Sequence, residues 1–392
     1  MTLDEHVLSS HHRMLRETAR SFVSQECPPS VVREAEASTL GYVPALWERM
    51  AAMGWLGLPF PEQYGGAGPD FLGMALVLEA LGYGAVPSPL FSSVILGGLQ
   101  LYEAGSEEQR SAILPALIQG RQHLALALYE ASGRLGSEEV HTRAEPASGG
   151  FTLHGAKMFV LDAHLADLLI VVASTRQDTA PQQGVTLLLV PARDGTVTLH
   201  PLLTTAGDRQ FEVVFEDTRV PFNSLVGVLH QGWPSLEAVL QKATALKCAE
   251  MLGGAQAVLD MAVAYAKRRV QFGRPIGSFQ AVQHHLVDVY REVELGRMLT
   301  YEAIRLIDQG LPSGRHVAMA KAKMSHVFPF ATQIAHQVHG GVAYHTDYPL
   351  EIYYRRALAS QAFLGGASEL LEAVARDLPS FTPYHPHHLD EP

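Results

Sequence analysis

The hydrophobic period of this 392-residue chain changes twice, from helical to strand-like and back. That alternation leaves few architectures open. Residues 1–122 read as helical: ERMAAMGWLGLPFP (48–61) spaces its apolar residues for a helix and breaks at Pro59 and Pro61. EQYGGAGPD follows as a glycine-rich loop, and FLGMALVLEALGYGAV (71–86) is apolar nearly all round, as a buried helix would be. After Gln122 come FTLHGAKMFV, DLLIVVAS, GVTLLLVPA and FEVVFEDTRVP, which are short, rich in β-branched residues and separated by polar or glycine-containing turns. A small β domain over 123–229 is expected, leaving through Pro221 and NSLVG. From Gly232 the helical period returns and runs to Arg376. The expected organisation is therefore α+β in three parts: a helical domain (1–122), a β domain (123–229) and a helical bundle (230–378), with a tail over 379–392.

Composition narrows the function classes. The formal charge is -11 and no Lys/Arg-rich block occurs, so nucleic acid is not an expected partner. The two cysteines, Cys27 and Cys248, are isolated and form no CxxC pair. No apolar run is long enough to cross a bilayer, and the N-terminus lacks a basic-then-apolar leader. A soluble, cytoplasmic protein is expected. His385, His387 and His388 sit in a Pro- and His-rich tail without the spacing of a metal site, so no metal is expected.

One segment carries more chemistry than a helix–helix connection needs. RRVQFGRPIGSFQ (268–280) gathers arginines, an aromatic, two glycines and a proline into a tight turn before a helix that should begin at Ser278. Cationic forks beside an aromatic face suit a phosphate and a ring system. Together with HQVHGGVAYHTDYPLE (336–351), and with GWLGLPFPEQYGGAG and FEDTRVPFNSLVG in the other two parts, it resembles the acyl-CoA dehydrogenase family over nearly the whole chain.

That resemblance implies an N-terminal helical domain, a β-barrel-like middle domain and a C-terminal four-helix bundle that mediates tetramer assembly. It implies FAD as cofactor and α,β-dehydrogenation of an acyl-CoA, with an electron-transfer flavoprotein or similar acceptor. Arg269 matches the arginine that reaches the pyrophosphate of a neighbouring subunit's FAD. Phe272 and Gln280 match further contacts to it, and Gln337, Gly340 and Gly341 match the QxxGG turn that lets backbone approach the nucleotide. The glycine pair is also consistent with a simple helix turn.

Other family positions are changed. Tyr129 stands at a threonine that bonds the flavin ring, and Leu161 at a threonine that donates near flavin N5. Gly366, Ala367 and Ser368 replace a Thr-Ser-Gln. Leu364 occupies the position of the catalytic glutamate, and Ala243, beside Thr244, occupies the alternative position on the first helix of the bundle. A leucine cannot accept a proton. The residues a subunit uses for its own flavin are lost, whereas those it lends to a neighbour are kept. The resemblance therefore implies the base-free subunit of an α2β2 dehydrogenase, a class associated with bulky substrates such as steroid side-chain CoA thioesters. Two alternatives stay open: an active homotetramer with a displaced base (Glu130, Asp162, Glu250 or Glu369), and a non-enzymatic scaffold.

Overall fold

The computed structural model describes residues 8–176 and 183–376; the histidine-rich tail lies outside them. The first helical part comprises α1 (Ser10–Glu26), α2 (Pro29–Ala37), α3 (Pro44–Ala52), α4 (Phe71–Tyr83), a π-helical stretch (Leu90–Gly98), α5 (Leu99–Ala104) and α6 (Glu107–Ile118). Local chemistry sets their starts. Ser9 and Asp70 accept backbone N–H groups at the heads of α1 and α4, prolines open α2 and α3, and Ser106 with Gln109 forms a reciprocal box at α6.

The strand-bearing part holds β1 (Leu124–Ala127), β2 (Arg143–Ala147), β3 (Gly150–Leu161), β4 (Leu168–Ser174), β5 (Val185–Pro191), β6 (Val197–Leu202), β7 (Gln210–Pro221) and β8 (Leu225–Val226). The spatial order is β6-β7-β3-β2-β4-β5-β8, with β1 running parallel to β4. The all-apolar runs of β4 and β5 have a simple cause. Leu169, Val171, Leu188 and Val190 fill the core of the β part, while Ile170, Val172, Leu187 and Leu189 face the main helical core. Both faces are covered, so no alternation survives in the sequence. The pairing of β3 with β7 slips between Lys157 and Val160, and Phe159 takes a left-handed backbone there (φ 57°). Behind this bulge Lys157 is fully buried, donating to Glu130 at 2.7 Å and to the Leu128 carbonyl at 3.2 Å.

The last part is dominated by α7 (Gly232–Arg268), flanked by α8 (Gln280–Asp308), α9 (Gly314–His339), α10 (Leu350–Ala362) and α11 (Ala367–Arg376). It shares one core with the first helical part. The junction is a backbone-to-backbone crossing of α4 and α7. A methyl group at Gly253 would lie 1.9 Å from the Glu79 carbonyl oxygen, and one at Gly82 would lie 2.0 Å from that of Glu250. Beside the crossing, the buried Glu79 carboxylate accepts from Arg297 at 2.7 Å and from the Tyr301 hydroxyl, and Arg297 also donates to Gln256 at 2.9 Å. Both charges are thus paired and bonded, which their burial requires.

Gly253→Ala should lower stability by about 3 kcal/mol, even though alanine is the better helix former. The measurement is the urea midpoint at constant m-value; an unchanged or higher midpoint would show that the helices have room for a methyl group.

Candidate functional site

The RRVQFGRPIGSFQ segment folds as a two-stranded hairpin, β9 (Val270–Gln271) and β10 (Arg274–Pro275). Its two-residue loop is Phe272–Gly273, with φ of 53° and 77°, the sign that a tight hairpin turn of this type requires. A short 3-10 turn (Ile276–Ser278) follows, so α8 starts at Gln280, two residues beyond the expected Ser278. The 3-10 turn absorbs those residues because Gly277 approaches the Ala266 carbonyl closely. The Arg269 N–H closes α7 on the Tyr265 carbonyl at 2.8 Å, while its guanidinium makes no hydrogen bond or ion pair among the described residues. Phe272 is 91% exposed, and Arg274 stacks 4.1 Å from the ring centroid of Phe279.

Gln337 and the glycine pair end α9 at the same corner. Gly340 has φ 64° and ψ -142°, a conformation that only glycine adopts freely. A side chain added at Gly340 or Gly341 would meet nothing within 4 Å, so internal packing gives no reason for the pair. The two segments are brought together by residues the sequence reading passed over. Buried His339 stacks on Tyr265 at 4.3 Å, receives or gives a hydrogen bond with the Tyr348 hydroxyl at 2.8 Å, and bonds the Ala335 carbonyl at 2.7 Å. Burial lowers the His339 pKa, favouring the neutral ring. No periodicity distinguishes such a histidine from an ordinary helix residue. This outward corner fits a dinucleotide: an unpaired guanidinium for a phosphate, an aromatic for a ring, and open glycine backbone between them.

Inside the chain lies a cavity of about 670 Å³, walled by α4, the π-helical stretch, α7, α10 and the loop before β7. Tyr129, Leu161, Asp162, Phe91, Lys247 and Phe363 are among its lining residues. Leu364 is 2% exposed with a left-handed backbone (φ 61°), and its N–H donates to the Tyr129 hydroxyl at 3.2 Å. Burial pushes the Tyr129 phenol up to about 12. The buried Lys321 amine pins the same loop, donating to the carbonyls of Gln361 at 3.1 Å and Gly365 at 3.2 Å. Phe363 packs edge-on to Phe91, with Lys247 over both rings. Ala243 is fully buried, and Thr244 commits its hydroxyl to the Leu240 carbonyl at 2.7 Å. Neither position presents a base. Leu161 offers no donor where a flavin edge would need one, so the inward half of the site does not fit FAD as the outward half does.

The four carboxylates open as substitutes differ sharply. Glu130 is consumed by Lys157 and by the amides of His141 and Thr142, which hold its pKa below the usual range although burial opposes them. Glu369 only caps the N–H of Gly366 on the surface. Glu250 lines the cavity but pairs with Lys247 at 3.0 Å. Asp162 also lines the cavity and has no cationic hydrogen-bond partner; Ser92 donates to it at 2.5 Å. Burial, reinforced by nearby Asp208, raises its carboxyl to about 7. Among the described residues, no cluster of three or more ligating side chains could hold a metal.

Because the folded-state pKa of Asp162 lies above its unfolded value, its contribution to stability is full below the unfolded value and lost as pH rises through about 7. Asp162→Asn should therefore gain on the wild type by about 2–4 kcal/mol between roughly pH 4 and pH 8. Urea unfolding at several pH values reads this directly, and a constant difference would mean that Asp162 is ionised throughout.

Comparison with known proteins agrees with this architecture. The models of the acyl-CoA dehydrogenase N-terminal, middle and C-terminal domains match residues 9–121, 125–218 and 230–378. The probable acyl-CoA dehydrogenase YngJ of Bacillus subtilis is 31% identical, over 95% of this chain and 98% of its own. Among solved structures, the ChsE4-ChsE5 complex from Mycobacterium tuberculosis superposes with a TM-score of 0.86 at 28% identity, covering 96% of this chain and 100% of that one. A variant of the Tcur3481-Tcur3483 steroid ACAD gives 0.83 at 28%, covering 93% and 97%. With all three domain models matched in order, the chain belongs to the acyl-CoA dehydrogenase family, whose members bind FAD.

Proposed function

We propose that this chain is the base-free subunit of a hetero-oligomeric acyl-CoA dehydrogenase, α2β2 in form. It lends Arg269, Phe272, Gln280 and the Gln337–Gly341 turn to the FAD of a homologous subunit, and that subunit supplies the carboxylate base. The observation that carries the reading is Leu364: an apolar side chain buried at the family's glutamate position, in a loop fixed by Tyr129 and Lys321. FAD, when bound, would supply the hydride acceptor. This chain's share is then to hold the phosphate through Arg269 and cover the ring with Phe272. Two further features support a partner. The ChsE4-ChsE5 and Tcur3481-Tcur3483 neighbours are named as pairs of chains. Along α8, Val287, Tyr290 and Met298 are 60%, 53% and 58% exposed, more apolar surface than a lone helix face gains from showing to water.

The substrate proposed is a bulky acyl-CoA of the steroid side-chain type, as the second of these neighbours is named a steroid ACAD. An electron-transfer flavoprotein is the proposed acceptor and the cytoplasm the proposed compartment. No helix among the described residues is long and apolar enough to cross a membrane. Asp162 favours the second reading, an active homotetramer with a displaced base, because of the four candidate carboxylates it is the one that meets the cavity without a cationic hydrogen-bond partner.

Purification separates these readings. The chain expressed alone should be colourless, and co-expression with a glutamate-bearing homologue should give a yellow complex with FAD on one chain type only. Arg269→Ala should weaken FAD retention in that complex by about 10–100-fold, the loss of charge-assisted phosphate contacts. A lone chain that carries one FAD each and is reduced by acyl-CoA overturns the proposal in favour of the homotetramer. Unchanged retention in the Arg269 variant would leave the scaffold reading.

A further inference from the structure

The outward corner is built around one imidazole. His339 stands directly before Gly340 at the end of α9 and is 4% exposed. Its Nδ1 faces the Ala335 carbonyl at 2.7 Å, and a carbonyl only accepts, so Nδ1 carries the proton. Nε2 therefore keeps its lone pair and accepts from the Tyr348 hydroxyl at 2.8 Å. The ring centroid lies 4.3 Å from that of Tyr265 and 5.0 Å from that of Tyr348. Each of these tyrosines anchors one segment of the corner. The Tyr265 carbonyl accepts the Arg269 N–H at 2.8 Å, where α7 gives way to the hairpin. Tyr348 follows the glycine turn, with its own N–H on the His345 carbonyl at 2.9 Å. One ring thus ties the root of the hairpin to both sides of Gly340–Gly341. An apolar side chain would fill the same space, but it would leave the Tyr348 hydroxyl unheld and the angle between the two segments unfixed.

A second proton undoes this arrangement. An N–H at Nε2 points at the Tyr348 hydroxyl oxygen, which then has to turn its own proton away, and a positive charge is left buried. The titratable and charged groups that face the ring are Tyr265 on α7, Tyr348 in the turn and His336 on α9, with Arg268 felt by Tyr348 and with Tyr344 and Tyr354 against His336. None of these is a carboxylate. Burial and His336 both disfavour the charged ring, and the bond to the Ala335 carbonyl only partly offsets them. We propose that neutral His339 is a positioning residue for the dinucleotide corner, and that protonation of its ring releases FAD. This role presupposes that the corner holds the FAD of a neighbouring subunit, as proposed above, and it adds a regulation to that site. His339 touches no reacting atom. It acts through Tyr265 on Arg269 and through Tyr348 on the glycine turn, so a subunit without a base governs through acid how firmly its partner keeps the cofactor.

The test uses the complex with a glutamate-bearing homologue and reads FAD retention from the flavin fluorescence of the ultrafiltrate, from about pH 8 down to about pH 5.5. Wild type should lose about tenfold in affinity over that range, the worth of one buried hydrogen bond. His339→Gln keeps an oxygen that accepts from Tyr348 and does not titrate. It should hold FAD within about threefold of wild type at the upper pH and show no acid loss. His339→Phe keeps a ring without either bond and should bind about tenfold more weakly throughout. Tyr348→Phe should show the same weakening at the upper pH, and it decides the matter if neither His339 variant folds. Retention that does not fall with acid in the wild type, an acid loss that persists in His339→Gln, or wild-type retention in either phenylalanine variant would overturn the proposal. Arg269→Ala tells that failure from failure of the FAD assignment. If it weakens retention while the His339 variants behave as wild type, the corner binds FAD and His339 does not position it. If it too is without effect, the assignment of the corner to FAD falls, and the role of His339 with it.

Discussion

The close approach of α4 and α7 at Gly82 and Gly253 is the constraint on which the rest of this molecule depends. Each glycine costs its helix about 1 kcal/mol of intrinsic stability. That cost is offset because backbones in contact bring the side chains on both sides of the crossing into one continuous core. The same contact fixes the rotation of α7. Ala243, Lys247 and Glu250 recur at helical spacing, with Lys247 and Glu250 on the cavity wall and Ala243 in the core. If the helices stood further apart, the Glu79–Arg297–Tyr301 cluster would admit water and the cavity would lose its roof. Fold and site are therefore set by one packing decision.

From that frame the site divides by direction. Three inward groups are anchored: the Tyr129 hydroxyl by Leu364, the loop carbonyls by Lys321, and Glu130 by Lys157. What faces outward is unanchored, above all the Arg269 guanidinium and the open backbone of Gly340–Gly341. Unpaired donors are tolerable in water, and they cost nothing further when a phosphate replaces that water. Anchored donors, by contrast, must break existing bonds to serve a ligand. The division is also why the fold tolerates a leucine at position 364. Leu364 is part of the main core, so its burial contributes to stability where a glutamate would add a charge to be desolvated.

The alternation of helix and strand periods was legible because long apolar faces are written into sequence, and the four strongest strands lie within a residue or two of their expected limits. Shorter pieces escaped for physical reasons. Leu124–Ala127 contains only leucine and alanine, residues with no strand preference, and becomes β1 through pairing with β4. The strands at Arg143–Ala147 and Val197–Leu202 carry Pro146 and Pro201 and look like loops until a neighbour supplies the ladder. The outward residues were readable because they cluster in two short segments. Asp162 was only one of four candidates, since what separates it from Glu130 is the absence of a lysine such as Lys157, brought from elsewhere in space, whereas the lysine that pairs Glu250 stands three residues earlier on the same helix. Charge partners across elements leave no local mark.

The hairpin tip carries a residue that its own surroundings do not favour. Phe272 combines a left-handed backbone with almost complete exposure of its ring. The first costs about 1–2 kcal/mol for a non-glycine residue. The second forgoes about 2–3 kcal/mol that burial of a phenylalanine would return. No contact among the described residues recovers either amount, since the one aromatic neighbour of Phe272 there, Phe279, meets it edge-on at 6.1 Å. Glycine would satisfy the turn without strain, and a polar residue would satisfy the solvent. An aromatic satisfies neither, and it becomes favourable only when a surface outside the chain closes over it. The geometry of the tip therefore argues for a second subunit on physical grounds that stand apart from any resemblance in sequence.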